Sequence, residues 1–235
     1  MIADDEQTLA AWGGMELFLG LVPAELQKIA TPARTRHLTR GTRIFQQGES
    51  PARAHAVIQG GVRISQSGSD GAQVVMRVIA PGEMFGTLAL FIDRRYPADA
   101  VCLVDTIETS WSEAELLVLM RRHPAIAVNI VRIVAKHLQE VQNRLREIST
   151  QRVEQRVAHA VLRLARQAGR KGSDGTVVPF PLRRKDIADI SGTTLHTASR
   201  ILAAWERSGV LTNRNRCLTI RRPSALSRIA EEGLA

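Results

Sequence analysis

The sequence predicts an α+β protein, with an N-terminal antiparallel β-roll, a long dimerisation helix and a C-terminal winged helix-turn-helix. Three observations support this prediction. Short apolar runs separated by glycines fill residues 38–112, an apolar heptad repeat follows Pro124, and a helix–glycine turn–helix pattern lies in a basic C-terminal region. The predicted segments are the roll at 16–123, the long helix at 124–150 and the winged helix-turn-helix domain at 151–235.

The predicted roll follows a short helical segment that Pro23 interrupts. Glycines then punctuate the chain at intervals of about 8–12 residues, a spacing typical of antiparallel barrels and rolls. Residues 67–71 read Ser-Gly-Ser-Asp-Gly and predict a tight turn between two strands. The predicted strands cover residues 42–45, 54–58, 62–65, 74–79 and 100–104.

The region after Pro124 predicts one long helix with a narrow apolar stripe. Its apolar residues recur at alternating spacings of four and three, and charged residues such as Arg132 and Glu140 flank them. This pattern is typical of a parallel coiled coil, so we predict a homodimer. An amphipathic helix packed on its own sheet is the alternative. The predicted dimer seam consists of Ala127, Val131, Val134, Leu138, Val141, Leu145 and Ile148.

The positive charge of the chain is concentrated in its last third. The net charge is +9, and residues 1–150 contain 16 basic and 16 acidic side chains. All of the excess therefore lies in residues 151–235. A basic module joined to a neutral one indicates a domain that binds a polyanion such as DNA. A solubilising surface or an acidic protein partner would produce the same charge.

Residues 182–205 predict a helix-turn-helix. A first helix covers about residues 184–190, Gly192 can adopt the left-handed conformation that ends it, and Thr194 can cap the second helix. Arg183 occupies the cap position of the first helix, where the lack of a capping side chain costs about 1 kcal/mol. A second helix of this kind enters the major groove of DNA. Its predicted buried face consists of Ala198, Ile201, Leu202 and Trp205.

The opposite face of the second helix predicts base recognition. Arg200 can donate two hydrogen bonds to guanine, and His196 can donate to or accept from a base edge. Basic residues at the start of the first helix can bind phosphates. Residues 210–220 predict a basic-tipped hairpin, which makes the motif a winged one. The predicted DNA-binding set is Arg183, Arg184, Lys185, Thr194, His196, Ser199, Arg200 and Arg214.

Other classes of protein have little support in the sequence. There is no apolar run of about 18 residues and no secretory signal, so we expect a cytoplasmic protein. We find no phosphate-binding glycine loop, zinc-protease motif or nucleophile elbow, and therefore predict no enzyme. Cys102 and Cys217 are the two cysteines of the chain, too few for a four-cysteine metal site. A non-specific architectural DNA-binding protein is the alternative from another class.

Over nearly its whole length the chain resembles the Crp/Fnr family of bacterial regulators. The phrases that carry the resemblance are GTRIFQQGE at 41–49, VIQGGVRI at 57–64, PGEMFG at 81–86 and DIADISGTTLHTASR at 186–200. The resemblance implies a roll like the cyclic-nucleotide-binding fold, and a homodimer on a two-fold-symmetric DNA site. It also implies contact with RNA polymerase, and a signal at the roll that reorients the DNA-binding heads.

The recognition helix agrees with the family at two positions and departs from it at one. The family's base-reading arginine corresponds to Arg200 and its serine to Ser199. The usual glutamate is replaced by His196, so a group that accepts from cytosine becomes one that can donate. We therefore expect the half-site to differ from the family's commonest one.

The effector segment departs from members that bind cyclic AMP. Those members hold the nucleotide with a Gly-Glu pair and an Arg-Ser pair, which correspond here to Gly86-Thr87 and Pro97-Ala98. Without the arginine, the phosphodiester loses its charged partner, so we predict an effector other than cyclic AMP. The predicted effector pocket consists of Gly86, Thr87, Leu88, Tyr96, Pro97 and Ala98.

Haem is the remaining cofactor that the resemblance suggests. Residues 94–100, RRYPADA, are similar to members that respond to nitrogen oxides, some of them through haem. His137, beside the predicted seam, is the favoured ligand among His37, His55, His123, His137 and His159. The cysteine count excludes the family's iron–sulfur cluster. A regulator without an effector, controlled by its abundance, is the alternative.

Overall fold

The chain forms two compact units in the computed structural model. The described residues are 12–30, 33–50, 53–92, 94–214 and 216–232. The first unit comprises residues 1–71 and 79–140, and the second comprises residues 72–78 and 141–235. Within the described ranges, no helix is both long and apolar enough to cross a membrane.

The first unit is an antiparallel β-roll. One sheet has the strand order β1-β8-β3-β6, and in the other sheet β7 lies between β2 and β4. Strand β5, Gln73–Ile79, belongs to the second unit except for its last residue. The strands of the roll are β1 (Arg34–Leu38), β2 (Arg43–Phe45), β3 (Arg53–Gln59), β4 (Val62–Ser67), β6 (Met84–Phe85), β7 (Asp99–Cys102) and β8 (Thr106–Ser112).

Helices close the roll and lead out of it. A 3-10 turn at Glu16–Phe18 precedes α1 (Pro23–Ala30), α2 (Thr87–Phe91), α3 (Glu113–Arg122) and the long α4 (Pro124–Thr150). Helix α3 begins with a capping box, in which the Ser112 side chain accepts from the Glu115 amide and the Glu115 carboxylate accepts from the Ser112 amide. The rings of Trp12, Phe18 and Trp111 pack together in the core of the roll. The α+β class and the long helix are therefore confirmed.

The predicted strands are found, but β1, β8 and the two-residue β6 were not predicted. Strand β8 reads TIETSWS, and its buried positions include Glu108, Thr109 and Ser110. Strand β1, RTRHL, is mostly exposed and pairs only with β8 at the edge of its sheet. Strand β8 shows no apolar–polar alternation because polar side chains occupy its buried positions, and β1 shows none because Leu38 is its one apolar residue.

The second unit is a winged helix-turn-helix. Its sheet has the order β11-β12-β10-β9. Residues 169–175, predicted to be a polar loop, instead form β9 and the start of β10, because β10 pairs with β12 and thereby extends the wing sheet. The elements are α5 (Val153–Ala168), β9 (Arg170–Gly172), β10 (Gly175–Val177), α6 (Arg184–Ser191), α7 (Leu195–Arg207), β11 (Leu211–Arg214), β12 (Cys217–Ile220) and α8 (Pro223–Glu232).

The core of the second unit holds the helix-turn-helix against its supporting helices. Leu164 on α5, Ile187 on α6 and Leu202 on α7 are buried, as are Leu226 on α8 and Leu218 on the wing. The predicted inner face of the second helix is therefore confirmed. This packing leaves the outer face of α7 in contact with solvent.

Candidate DNA-binding site

The turn of the motif has the predicted backbone conformation. Gly192 has φ 64°, in the left-handed region, directly after the end of α6. The Thr194 side chain accepts from the Thr197 amide at 3.2 Å and donates to the Thr197 hydroxyl at 3.0 Å. Because both functions of the Thr194 hydroxyl are used in the cap, this residue serves to begin α7 at a defined position.

The start of α6 has one of the two hydrogen bonds of a capping box, the one from the cap residue's amide to the side chain three residues later. Arg183 occupies the cap position, as predicted, and its amide donates to Asp186 Oδ2 at 2.7 Å. The Arg183 guanidinium also pairs with Asp186, which is almost fully buried. The predicted cost of a missing cap is thus offset from inside the helix, because the side chain three residues later accepts from the cap residue.

Two arginines hold the carbonyl end of α6. Arg156 on α5 donates to the carbonyls of Ser191 and Gly192, each at 3.1 Å. Arg144 near the end of α4 donates to the Ile190 carbonyl at 2.9 Å. These carbonyls have no partner within the helix, so the arginines satisfy them and orient the turn. Neither residue was predicted, because nothing in the spacing of the sequence connects α4 and α5 to these carbonyls.

The outer face of α7 presents the predicted reading residues. His196 and Arg200 are exposed, and Ser199 is half-buried. The buried side chains on the other face are Ala198, Ile201, Leu202 and Trp205. A rigid helix that carries a donor-rich exposed face has the geometry needed to read bases in the major groove.

The basic residues at the start of α6 each have an acidic partner. Arg184 donates to the Ser199 carbonyl at 3.1 Å and pairs with Glu206 at 3.3 Å, both on α7. Lys185 pairs with Asp189. Between a third and a half of each basic side chain remains exposed, so their charges face solvent while the ion pairs fix their positions.

A basic cleft joins the start of α6 to the wing. It has a volume of about 380 Å³ and is lined by Leu182, Arg183, Arg184, Asn213 and Arg216. Arg214, the predicted wing residue, is exposed beside it at the end of β11. Arg216 was not predicted. The cleft suits a phosphate group, because its rim is formed by guanidinium groups.

The predicted effector segments meet inside the roll. Gly86 has φ 74°, and a Cβ atom at this position would lie 3.3 Å from Tyr96 Cε1. Tyr96 and Ala98 are buried, whereas Leu88 and Pro97 are exposed and Thr87 is half-buried. The predicted effector pocket therefore combines buried and exposed residues, and it stays a prediction.

The histidines that were considered as haem ligands lie apart. His55 is buried and bonded to Glu108 and Tyr96. His123 contacts Glu25 at 3.1 Å, and His137 is half-buried on α4. In the part of the chain that the structure describes, no three metal-ligating side chains cluster together.

Both halves of the chain match known protein families. Residues 35–123 match the cyclic nucleotide-binding domain, and residues 155–229 match the Crp-like helix-turn-helix domain. The Cyclic AMP receptor protein of Thermus thermophilus is 30% identical over 217 residues, which cover 92% of this chain and 97% of that protein.

Solved structures show the same similarity. The Catabolite Activator Protein of Thermus thermophilus, at 30% identity, aligns with a TM-score of 0.53 over 93% of this chain and 100% of the other. FixK2 from Bradyrhizobium japonicum shares the fold, with a TM-score of 0.71, 22% identity, and coverage of 83% of this chain and 96% of its own.

Proposed function

The chain belongs to the Crp/Fnr family of transcription regulators, and we propose that it binds a palindromic DNA site specifically, as a homodimer. The observation that carries the proposal is the α7 surface, where His196 and Arg200 are exposed on a helix whose opposite face is buried. Thr194 and the arginines behind the turn fix this helix in place. Base readout requires such a preorganised surface, because donors must meet base edges in a defined geometry.

Arg200 and His196 determine the proposed half-site. Arg200 pairs with guanine through O6 and N7, the commonest specific contact between proteins and DNA. His196 replaces a carboxylate, so the cytosine contact that a glutamate would make is absent. Arg216 and the basic residues at the start of α6 contact phosphates on either side.

An apolar stripe along α4 supports the proposed homodimer. Most of its residues are at least half-exposed in the single chain, for example Val131 at 68% and Leu145 at 66%. A stripe of this length in heptad register is buried by a second copy of the same helix. A C2 dimer places two recognition helices about one helical turn of DNA apart, which requires a two-fold-symmetric site.

We further propose that the signal is not cyclic AMP, although a 30% identical relative bears the name of a cyclic AMP receptor. Pro97 stands where a phosphate-binding arginine would lie, and the side chain of Tyr96 fills the interior beside it. Contact with RNA polymerase and the absence of enzymatic activity accord with the regulators that this chain resembles.

Selection of random duplex DNA by the purified, ligand-free protein at near-physiological salt tests the proposal. We expect a palindrome whose half-sites lie about one helical turn apart, bound about a thousandfold or more tightly than random DNA. Arg200→Ala is the control variant, and it should lose the sequence preference at one base position of the half-site. Binding without any sequence preference would overturn the proposal and support an architectural protein.

A further inference from the structure

The roll contains a buried polar network that DNA binding does not use. Its members are His55, Tyr96 and Glu108, which are 2%, 4% and 0% exposed. His55 contacts Glu108 through Nδ1 and the Tyr96 hydroxyl through Nε2, the latter at 2.8 Å. Burial lowers the pKa of His55, so the neutral imidazole donates from Nδ1 to the carboxylate and accepts at Nε2 from the phenol.

Two arginines complete this network. Arg36 Nε donates to Glu108 Oε2 at 2.9 Å, and the backbone amide of Arg53 donates to the Tyr96 hydroxyl at 2.7 Å. The phenol therefore donates one hydrogen bond and accepts another. A buried polar network is stabilising when all of its members are satisfied, and the Tyr96 hydroxyl is satisfied in both roles.

The Tyr96 ring packs in a cluster of aromatic side chains, with direct ring contacts to Phe45 and His55. Phe45 stacks on Tyr96 with ring centroids 3.7 Å apart and planes 3° from parallel. Phe85 stacks on His55 with centroids 5.0 Å apart. The buried Tyr96 ring is thus stacked on an apolar ring while its hydroxyl has polar partners, a combination that is also typical of small-molecule sites.

The backbone on both sides of Tyr96 is tied down. The Tyr96 amide donates to the Glu49 carbonyl at 3.1 Å, and its carbonyl accepts from the Gly48 amide at 2.8 Å. Gln66 donates to the Pro97 carbonyl, and the Gln47 amide donates to Asp99. The loop therefore presents Tyr96 inward in a fixed position.

The nearby guanidinium groups are engaged elsewhere. Arg53 donates to Ser110 and pairs with Glu115, and Arg36 pairs with Glu108. Arg94 pairs with Glu113 on the surface. A phosphate beside Gly86 would lie close to the Tyr96 ring, and a guanidinium group could pair with it only by leaving its present partner.

We propose that Tyr96 is a built-in ligand of the roll: its phenol occupies the interior binding position, and the roll reaches its DNA-binding form without a small molecule. The position of the Tyr96 phenol is a property of the roll alone. DNA binding without a small molecule rests on the proposed function.

Cavity rescue tests whether the Tyr96 phenol occupies a binding position. Tyr96→Ala should lower the melting temperature by several degrees, since it removes a ring and leaves Nε2 of His55 without the Tyr96 hydroxyl. Addition of p-cresol at about 1 mM or more should restore at least half of that loss, because a ligand that binds only the folded state stabilises it. The wild type and Phe91→Ala, which truncates an exposed ring, should not respond. A folded Tyr96→Ala variant that ignores p-cresol overturns the proposal.

If Tyr96→Ala is unfolded without p-cresol, two further measurements test the proposal: refolding of this variant by p-cresol, and the melting temperature of a second variant, Tyr96→Phe. Refolding by p-cresol, followed by circular dichroism, would then support the built-in ligand, and no refolding would contradict it. Tyr96→Phe retains the ring and loses the hydroxyl, so it should fold, melt below the wild type and show no p-cresol response. A melting temperature equal to that of the wild type would contradict the role of the hydroxyl network.

Binding to the selected DNA site tests whether the protein needs a small molecule. The dissociation constant of the ligand-free wild type for its selected site should change less than about twofold with cyclic AMP or cyclic GMP at about 1 mM. A gain of about fivefold or more would overturn effector independence while leaving the p-cresol result intact. Failure of the wild type to select any site, with or without these nucleotides, would instead overturn the proposed function.

Discussion

The Arg156 guanidinium lies 3.1 Å from the carbonyl oxygen of Gly192, the left-handed residue in the turn of the DNA-binding motif. The same side chain bonds the Ser191 carbonyl. A residue outside the motif therefore holds the turn that sets the angle between α6 and α7. Since the proposed DNA readout depends on that angle, we expect the supporting helix α5 to contribute to recognition.

Arg156→Lys should lower both stability and specific DNA affinity. Lysine cannot bond both carbonyls with the planar geometry of a guanidinium, so one or both would lose their partner, at a cost of about 1–3 kcal/mol in unfolding free energy. Urea denaturation and binding to the selected site measure the two effects. Arg166→Lys, at an exposed position of the same helix, is the matched control. If the two variants had equal stability and equal DNA affinity, Arg156 would not support the DNA-binding surface.

Arg200→Ala should cost about 1–3 kcal/mol of binding free energy on the selected site and relax one base position. Affinity for random DNA should change much less, because phosphate contacts dominate there. Fluorescence anisotropy with the two DNAs measures the ratio. Arg207→Ala removes an exposed charge at the far end of the same helix and should preserve the base preference. A uniform loss on both DNAs would show that Arg200 contacts phosphate.

Leu138→Lys should convert the dimer to a monomer. Leu138 is 58% exposed in the single chain and lies at the centre of the stripe, where a charge would be buried between two helices. Sedimentation equilibrium measures the mass. Gln139→Lys introduces the same side chain at the next position, off the stripe, and should remain dimeric. A dimeric Leu138→Lys variant would place the interface elsewhere.

Acid should destabilise the roll through His55. Burial lowers the pKa of His55 below its ordinary value of 6.5, so the unfolded state takes up the proton first. The contribution of His55 to stability is therefore complete above pH 6.5 and is lost as the pH falls towards the folded-state pKa. The Arg36 and Arg53 charges oppose protonation, whereas Glu108 favours it.

Thermal melts at a series of pH values between about 7.5 and 5.5 test this prediction. The melting temperature of the wild type should fall as the pH is lowered. The glutamine of His55→Gln cannot be protonated in this range, so the melting temperature of this variant should fall less from its value at the highest pH. If the melting temperatures of the wild type and His55→Gln fell in parallel, another group would cause the acid sensitivity.

Tyr96 should ionise only above its ordinary pKa of 10.0, because burial raises its pKa. It is the one tyrosine of the chain, so the near-ultraviolet absorbance of tyrosinate reports on this residue alone. A raised folded-state pKa gives stability that is complete below pH 10.0 and is lost as the pH rises through that pKa. Spectrophotometric titration of the native and the urea-unfolded protein measures the difference. Coincident curves would mean that the phenol is exposed to solvent.

The sequence alone determined the order of the main elements and which face of α7 is exposed. These features depend on local rules. Gly192 adopts φ 64° because glycine lacks the side chain that disfavours it, and Thr194 caps the helix that follows it. The heptad stripe of α4 is likewise visible without coordinates, because the helical repeat brings residues three and four apart onto one face.

Only the tertiary structure decided which polar groups meet. Strand β8 was missed because Glu108 occupies an inward position, and this is tolerated only because His55 and Arg36 reach it from two other strands. Tyr96 could be read from the sequence as a pocket residue, but not as the occupant of the interior.

Likewise, Arg156 is distant in sequence from Gly192, and no periodicity relates the two residues. The physical reason is general. Local propensity depends on neighbours along the chain, whereas the satisfaction of buried polar groups depends on neighbours in space.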